Sequence, residues 1–357
     1  MPGAYSPLPA WNWFLGKPLV SAVIRAHAED FQVWELPLVE AEGSGTHLWL
    51  EVEKRNANTN WVAERLAQAA GVALRDVGFA GMKDRRGITS QWFSLALQEA
   101  DNSDWQDWHI GDVRILQGKL HGRKLKRGAL KGNRFRITLR KLAGETAELE
   151  QRLQQIAEHG VPNYFGPQRF GHGGRNVERG VHWLEKGGRL PRNKKSIYLS
   201  SVRSFLFNQV LSKRVERANW NRLIDGDVAI LDGSRSLFAC NVPDQGLQQR
   251  CAEFDIHPTG PLAGDSGRVM PTAAAAELEQ SVLRPDQRLV EALVSKRVES
   301  ARRGLRVRAL DLSWEWEGQD LVLKFELPAG AYATSVLREL VLTEPGTISD
   351  KGETECK

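Results

Sequence analysis

The stretch "GFAGMKDRRGITSQWFSL", Gly78–Leu95, holds one acid, Asp84, among three bases, Lys83, Arg85 and Arg86. It leaves an apolar run, turns between Gly81 and Gly87, and re-enters a strand-like pattern. The simplest reading is a surface turn, because glycines bracketing polar residues are ordinary turn chemistry. A sharper reading is a reactive carboxylate, whose cationic neighbours favour its charged form and hold a polyanion over it. Taken alone, these residues favour the turn. The rest of the chain bears on the choice.

Working outward, "THLWLEVEK" (Thr46–Lys54) alternates as a half-buried strand does. "NTNWVAERLAQAAG" follows as a helix, capped by Asn58 or Thr59, with Val62, Leu66 and Ala69 on one face and Gly71 at its end. Further strands are predicted at Val77–Ala80, Ile88–Leu97, Val113–Gln117 and Arg134–Leu139. In the last, Phe135, Ile137 and Leu139 point one way and Arg136, Thr138 and Arg140 the other, so one face is basic and suited to lining a groove. From Gly144 the texture turns helical, with helices ending at Gly160, over "SIYLSSVRSFLFNQVLSKRVERA", and through most of Thr272–Arg303. Phe165–Gly188 reads as a glycine-rich link. Strands return in "LSWEWE" and "DLVLKFELP", then a helix, "YATSVLRELVL", precedes a polar tail expected to be loose from about Thr343. Sheet, helices and sheet again predict a helical insertion in a sheet-based domain whose two parts rejoin.

The chain has 357 residues, 41% hydrophobic and 26% charged, with a net charge of +5. That composition fits a globular protein of one enlarged or two domains. No apolar run approaches the roughly 18 residues of a membrane span, and the N-terminus lacks a signal-peptide pattern. Three cysteines without a C-x-x-C fit a reducing cytoplasm and argue against a thiolate metal site.

Charge is unevenly spread. Between Asp112 and Glu145 every charged side chain is Lys or Arg, including Arg123, Lys124, Lys126 and Arg127. A one-sign stretch of that length is a candidate footprint for nucleic-acid phosphates, the plain alternative being a solvated basic face.

Several familiar motifs fail on context. "GDSG" (Gly264–Gly267) lacks the disulfide-linked β setting and oriented histidine of a serine nucleophile. No G-x-x-x-x-G-K-[ST] offers a phosphate cradle. "GSGTHL" precedes a strand rather than a helix. The eight histidines show no metal-ligand spacing, so no metal is expected. What is left is an acid in a basic setting with aromatics and an amide nearby in the pattern. Phe31 follows two acids in "RAHAEDFQVWE", Asn133 enters the basic-faced strand in "LKGNRF", and Tyr332 opens a helix in "PAGAYATSVLRE". Singly each is more often structural. Together they offer what a flipped base needs: a face to stack on, an amide to read its edge and a carboxylate to attack it.

"GFAGMKDRRGITSQW", "LKGNRF", "GVPNYFGPQRFG" and "LPAGAYATSVLRE" resemble, in order and spacing, the signature segments of the tRNA pseudouridine synthase D (TruD) family, over about residues 18–342. Gly87 stands where that family usually has alanine, which is expected to loosen the turn after Asp84, and Tyr332 where phenylalanine is common. The resemblance implies an α+β pseudouridine synthase catalytic fold, with a mixed, mainly antiparallel sheet, over residues 1–157 and 305–345. It also implies an inserted, largely helical α/β domain at 158–304 and a flexible tail at 346–357. It implies an isomerase that converts a uridine of tRNA, typically at position 13, to pseudouridine without a cofactor. Asp84 falls on the catalytic aspartate and Arg25 on the basic residue that pairs with it. Phe31, Asn133 and Tyr332 fall on positions that contact the target base, Phe135 on the place of an active-site tyrosine, and Lys83 beside the acid. tRNA is the implied partner, with no membrane and no obligatory protein partner, in the cytoplasm. The alternatives are an RNA-binding protein on the same scaffold without catalysis, and an aspartate-dependent phosphotransfer enzyme, which needs a Mg²⁺ site that the pattern of acids does not offer.

Overall fold

A computed structural model of the chain describes residues 5, 7–96, 105–265, 267 and 269–345, and these form two compact units. One comprises Leu19–Thr146, Leu310–Gly330 and the chain from Val341 onward; the other comprises the chain up to Pro18, Ala147–Ala309 and Ala331–Leu340.

The first of these is built on a ten-stranded sheet. Its strands are β1 (Ser21–Ile24), β2 (Phe31–Pro37), β3 (His47–Arg55), β4 (Val77–Phe79), β5 (Ile88–Ala96), β6 (Val113–His121), β7 (Leu130–Ala143), β8 (Leu310–Glu317), β9 (Asp320–Pro328) and β10 (Leu342–Pro345). The main path runs β8-β9-β7-β2-β5-β3-β6, with β1 joined to β7 and β10, and β4 to β5. Among the described strand pairs of this sheet, only β2–β5 and β1–β10 are parallel; the sheet is mixed and mainly antiparallel, as the family resemblance implies. The two sequence-distant halves rejoin where β9 pairs with β7, from Leu321 opposite Leu139 to Pro328 opposite Gly132.

Helix α1 (Thr59–Ala69) is capped by Asn58, whose side chain accepts from the Asn60 N–H, satisfying one of the open amides of its first turn. Its buried face is Val62, Ala63, Leu66 and Ala67; Ala69, expected on that face, is exposed. These residues pack on Leu50, Val52, Phe93 and Leu95 of the sheet. Burying each such branched side chain contributes about 1.5–3 kcal/mol, so α1 holds one face of β3 and β5 rigid. Strand β10 replaces part of the expected tail: Leu342–Pro345 lies parallel to Ser21–Ile24. Residues 346–357, including Cys356, lie outside the described residues, as does Ser266 of "GDSG".

The other unit is centred on a long helix, Arg192–Glu216, whose Phe205, Leu206, Phe207, Val210 and Leu211 are fully buried. It contains a four-stranded sheet as well as helices: Leu237–Cys240, Asp227–Leu231, Ile256–Leu262 and Ala301–Gly304 in spatial order. The glycine-rich link is not a link. Arg175–Lys186 is a helix with Val177, Val181, Trp183 and Leu184 buried; its apolar positions fit a helical period, and the surrounding glycines sit at its ends. A buried bidentate pair joins Arg214 on the long helix to Asp227 on a strand, at 2.9 Å for each bond. Cys240 and Cys251 are free and buried. Among the described residues, no helix is long and apolar enough to cross a membrane, and no group of three His, Cys, Asp or Glu side chains can hold a metal ion.

Candidate active site

Asp84 lies on the β4–β5 loop, at the place where the end of β3 meets the starts of β5 and β2. The register brings them there: Ile88 of β5 faces both Arg55 of β3 and Gln32 of β2. The loop from Gly81 to Gly87 has little regular structure, so its polar groups must be satisfied from outside. The segment Lys54–Thr59 supplies most of that. The Lys54 ammonium donates to the Asp84 carbonyl at 2.9 Å and to the Ala57 carbonyl at 2.7 Å. Asn56 accepts from the Gly87 N–H through its side chain and donates its own N–H to the Gly87 carbonyl, both at 3.0 Å. Thr59 Oγ1 accepts from the Lys83 N–H and donates to Gln91, whose amide in turn donates to the Gly81 carbonyl. The loop is clamped at both ends and in the middle.

Gly87 does not slacken this loop. At φ +133° it sits in a conformation that favours glycine, and a Cβ there would collide with the Phe31 carbonyl oxygen. The glycine allows β2 and the loop to approach closely.

The Asp84 carboxylate pairs with Arg25, Nη2 to Oδ2 at 3.3 Å, with side chains 23% and 36% exposed for Arg25 and Asp84. The pair is therefore ordered yet reachable by a substrate. Arg25 stands between β1 and β2 at φ +59°, a conformation that costs a residue with a Cβ about 1–2 kcal/mol. The turn is anchored by Asp30, fully buried, which accepts from the His27 N–H at 2.8 Å and from Arg140 of β7. The Arg25 guanidinium also lies 3.9 Å from the centre of the Phe31 ring. Phe31 meets Phe135 edge-on at 6.3 Å, and Phe135 stacks on Phe325 of β9 at 5.3 Å. An acid, a guanidinium and a wall of phenyl rings thus adjoin one another.

Asn133 also lies in this sheet, opposite Glu35 of β2 and Leu327 of β9, and its side-chain oxygen is buried without a hydrogen-bond partner. A buried acceptor left open costs about 1–3 kcal/mol, which a ligand's N–H can offset.

Lys83 points elsewhere. Its ammonium pairs with the buried Glu35 carboxylate at 2.6 Å, with both side chains out of solvent. The expected cluster of three cations around Asp84 is corrected: Arg25 and Lys54 bear on it, Lys83 is neutralised by Glu35, and Arg85 and Arg86 are exposed.

The basic stretch divides in two. On β7, Arg134 pairs with Glu326, Arg136 with Glu317, and Arg140 with Asp30 and Asp320. That strand's basic face is neutralised by acids distant in sequence, so the expected basic groove along it is not there. Arg123, Lys126 and Arg127 differ: they are exposed, and among the described residues none has a carboxylate at ion-pair distance. Lys124 donates to the Arg75 carbonyl. With Arg75, Lys124, Lys126 and Arg127 edge a cavity of about 560 Å³.

Tyr332 belongs to the other unit, where it precedes helix Ala333–Leu340. Its hydroxyl accepts from Arg169 at 2.6 Å, and its ring lies 6.0 Å from Phe165. The segment "NYFGPQRFG" builds these surroundings: Phe165 exchanges two hydrogen bonds with Asn208, and Arg303 covers its ring at 4.2 Å.

Lys54, Asn56, Thr59 and Gln91 are absent from the candidate functional residues of the sequence pattern, which read Thr59 only as a helix cap. The signal for Lys54 is the alternation of β3, which places Leu48, Leu50, Val52 and Lys54 on one buried face.

The family model for "tRNA pseudouridine synthase D (TruD)" matches residues 12–182 and 177–340. A tRNA pseudouridine synthase D of Nitrosococcus oceani is 46% identical over 332 residues, covering 92% of each chain. One of Methylococcus capsulatus is 45% identical, covering 90% of this chain and 91% of its own. The fold matches a crystal structure described as a candidate TruD from Methanosarcina mazei, with a TM-score of 0.73 at 22% identity, over 92% of this chain and 95% of that one. With the four signature segments in order and matches along nearly its whole length, the chain belongs to the tRNA pseudouridine synthase D family.

Proposed function

We propose that the protein isomerises a uridine of tRNA, at position 13, to pseudouridine, with Asp84 as the reacting carboxylate. The observation that carries this reading is the Asp84–Arg25 pair, held by a clamped loop beside the Phe31 ring. Family membership supports the reaction class.

The reaction breaks the N1–C1′ bond of uridine and makes a C5–C1′ bond. C5 loses its hydrogen and N1 gains one. Reactant and product are isomers, so neither a redox partner nor a group donor is consumed, and no cofactor enters the proposal. Three routes suit a carboxylate: attack on C1′, assistance in forming a glycal, and addition to the pyrimidine ring. In each, Arg25 orients the carboxylate. Phe31 and Phe135 supply an apolar floor for the detached uracil, and the open Asn133 oxygen is an acceptor for its N–H. Tyr332 is proposed to stack on an RNA base, and Arg123, Lys124, Lys126 and Arg127 to meet phosphates. We assign Lys83 a supporting role through Glu35 rather than a direct contact. The insertion at 158–304 is proposed to serve RNA binding, and the protein is proposed to act on tRNA in the cytoplasm.

The test is product mapping. Unmodified tRNA incubated with the protein should acquire pseudouridine at position 13, located by chemical labelling. Bound but unmodified RNA would return the reading to a non-catalytic binder.

A further inference from the structure

Lys54 is the last inward-facing residue of β3, and its side chain is fully buried. A buried ammonium ordinarily needs a carboxylate to offset lost hydration. Here its hydrogen bonds go to two main-chain oxygens, those of Ala57 and Asp84. A methionine would fill the same space with none of that cost, so packing does not account for a lysine. What the charge does is local: it fixes the Asp84 peptide through its carbonyl, while Arg25 holds the carboxylate.

We infer that Lys54 is a positioning residue for Asp84, and that its protonated form is the working one. The inference rests on Asp84 being the reacting carboxylate. A charged donor makes hydrogen bonds roughly twice as strong as a neutral one, so loss of the proton loosens the hold on Asp84 without abolishing it. Burial pushes the Lys54 ammonium down to about 8. The Asp84 charge opposes that shift and the Lys83 charge adds to it. Glu35 offsets Lys83, Arg25 offsets Asp84, and the neighbouring Arg55 is paired with Glu29. Protonation of Lys54 is thus set within this loop, and it is lost as pH rises through about 8.

The experiment measures single-turnover pseudouridine formation on a tRNA transcript from near pH 6 to near pH 9.5, for wild type, Lys54→Met and Lys54→Gln, with tRNA affinity and thermal melts alongside. Near neutral pH, Lys54→Met should lose about tenfold or more in rate while affinity stays within about twofold, the signature of an interaction used in the chemical step. Wild type should slow above pH 8 and both variants should lack that decline. Lys54→Gln keeps amide donors without a charge and should fall between the two. A full rate for a folded Lys54→Met, or the same alkaline decline in the variants, would overturn the inference. Should neither variant fold, the wild-type profile decides, because a rate flat across the range excludes a role for the Lys54 proton. Asp84→Asn in the same assay separates the two readings. If it turns over, the assignment of Asp84 fails; if it is inactive while Lys54→Met is fast, only the present inference fails.

Discussion

Arg25 reaches the Asp84 carboxylate at 3.3 Å from a left-handed backbone conformation, φ +59°, that arginine rarely adopts. The same guanidinium covers the Phe31 ring at 3.9 Å. Strain at a residue that also contacts the proposed reacting carboxylate is the kind that folded proteins retain for a purpose.

That strain makes stability and activity separable. In Arg25→Gly the backbone cost of about 1–2 kcal/mol disappears. Against it stand a partly exposed ion pair, worth about 0–1 kcal/mol, and a cation–π contact of about 0.5–1 kcal/mol. These nearly cancel, so the melting temperature should barely change while pseudouridine formation drops steeply. Melting and turnover falling together would make Arg25 a structural residue alone.

Lys83 and Glu35 invite a different experiment. Lys83→Met leaves the Glu35 carboxylate buried without its partner, a change that typically costs about 3–5 kcal/mol. Replacing both, as Glu35→Leu with Lys83→Met, should recover most of that loss, because a buried pair is seldom better than packed apolar groups. Denaturant unfolding of the single and double variants measures this. An unharmed single variant would mean that Lys83 is free to serve the substrate.

The basic stretch predicts two classes of variant. Neutralising Arg123, Lys126 or Arg127 should make the log–log salt dependence of tRNA binding shallower by roughly 0.7–0.9 for each phosphate that is no longer neutralised. Arg134 and Arg136 already face Glu326 and Glu317, so their substitution should leave the slope nearly unchanged. Equal slopes for both classes would place the phosphate track elsewhere.

These contrasts show what the sequence makes legible. Strand and helix periods located β3, α1, β7 and β9, because each buries mainly one face and so repeats at its own period; β5, buried on both faces, was legible as a strand-like run instead. The family resemblance pointed to Arg25 as the partner of Asp84, and the structure adjoins them. Pairing across the fold was not legible. Arg134, Arg136 and Arg140 look unopposed in a window of sequence, yet their acids come from β8, β9 and the turn before β2. Lys83 adjoins Asp84 in sequence and turns away toward Glu35. Lys54 lies thirty residues from Asp84 and touches its backbone, a contact that carries no motif because any residue offers a carbonyl. The resemblance implied an α/β insertion, but the strands of the helical unit were not located one by one, because they are short and stand among helical patterns.

Turnover by Asp84→Asn shows most directly whether this carboxylate reacts. The two side chains are nearly isosteric, but the amide has no charge and is a far weaker nucleophile. The Lys54 bond to the Asp84 carbonyl does not depend on the side chain, so the loop should stay in place. Melting temperature and tRNA affinity should remain close to wild type, and pseudouridine formation should be abolished. Asp76, an acid outside the clamped loop, supplies the control in Asp76→Asn, which should turn over normally. Substantial pseudouridine formation by a well-folded Asp84→Asn protein would exclude Asp84 as the reacting carboxylate.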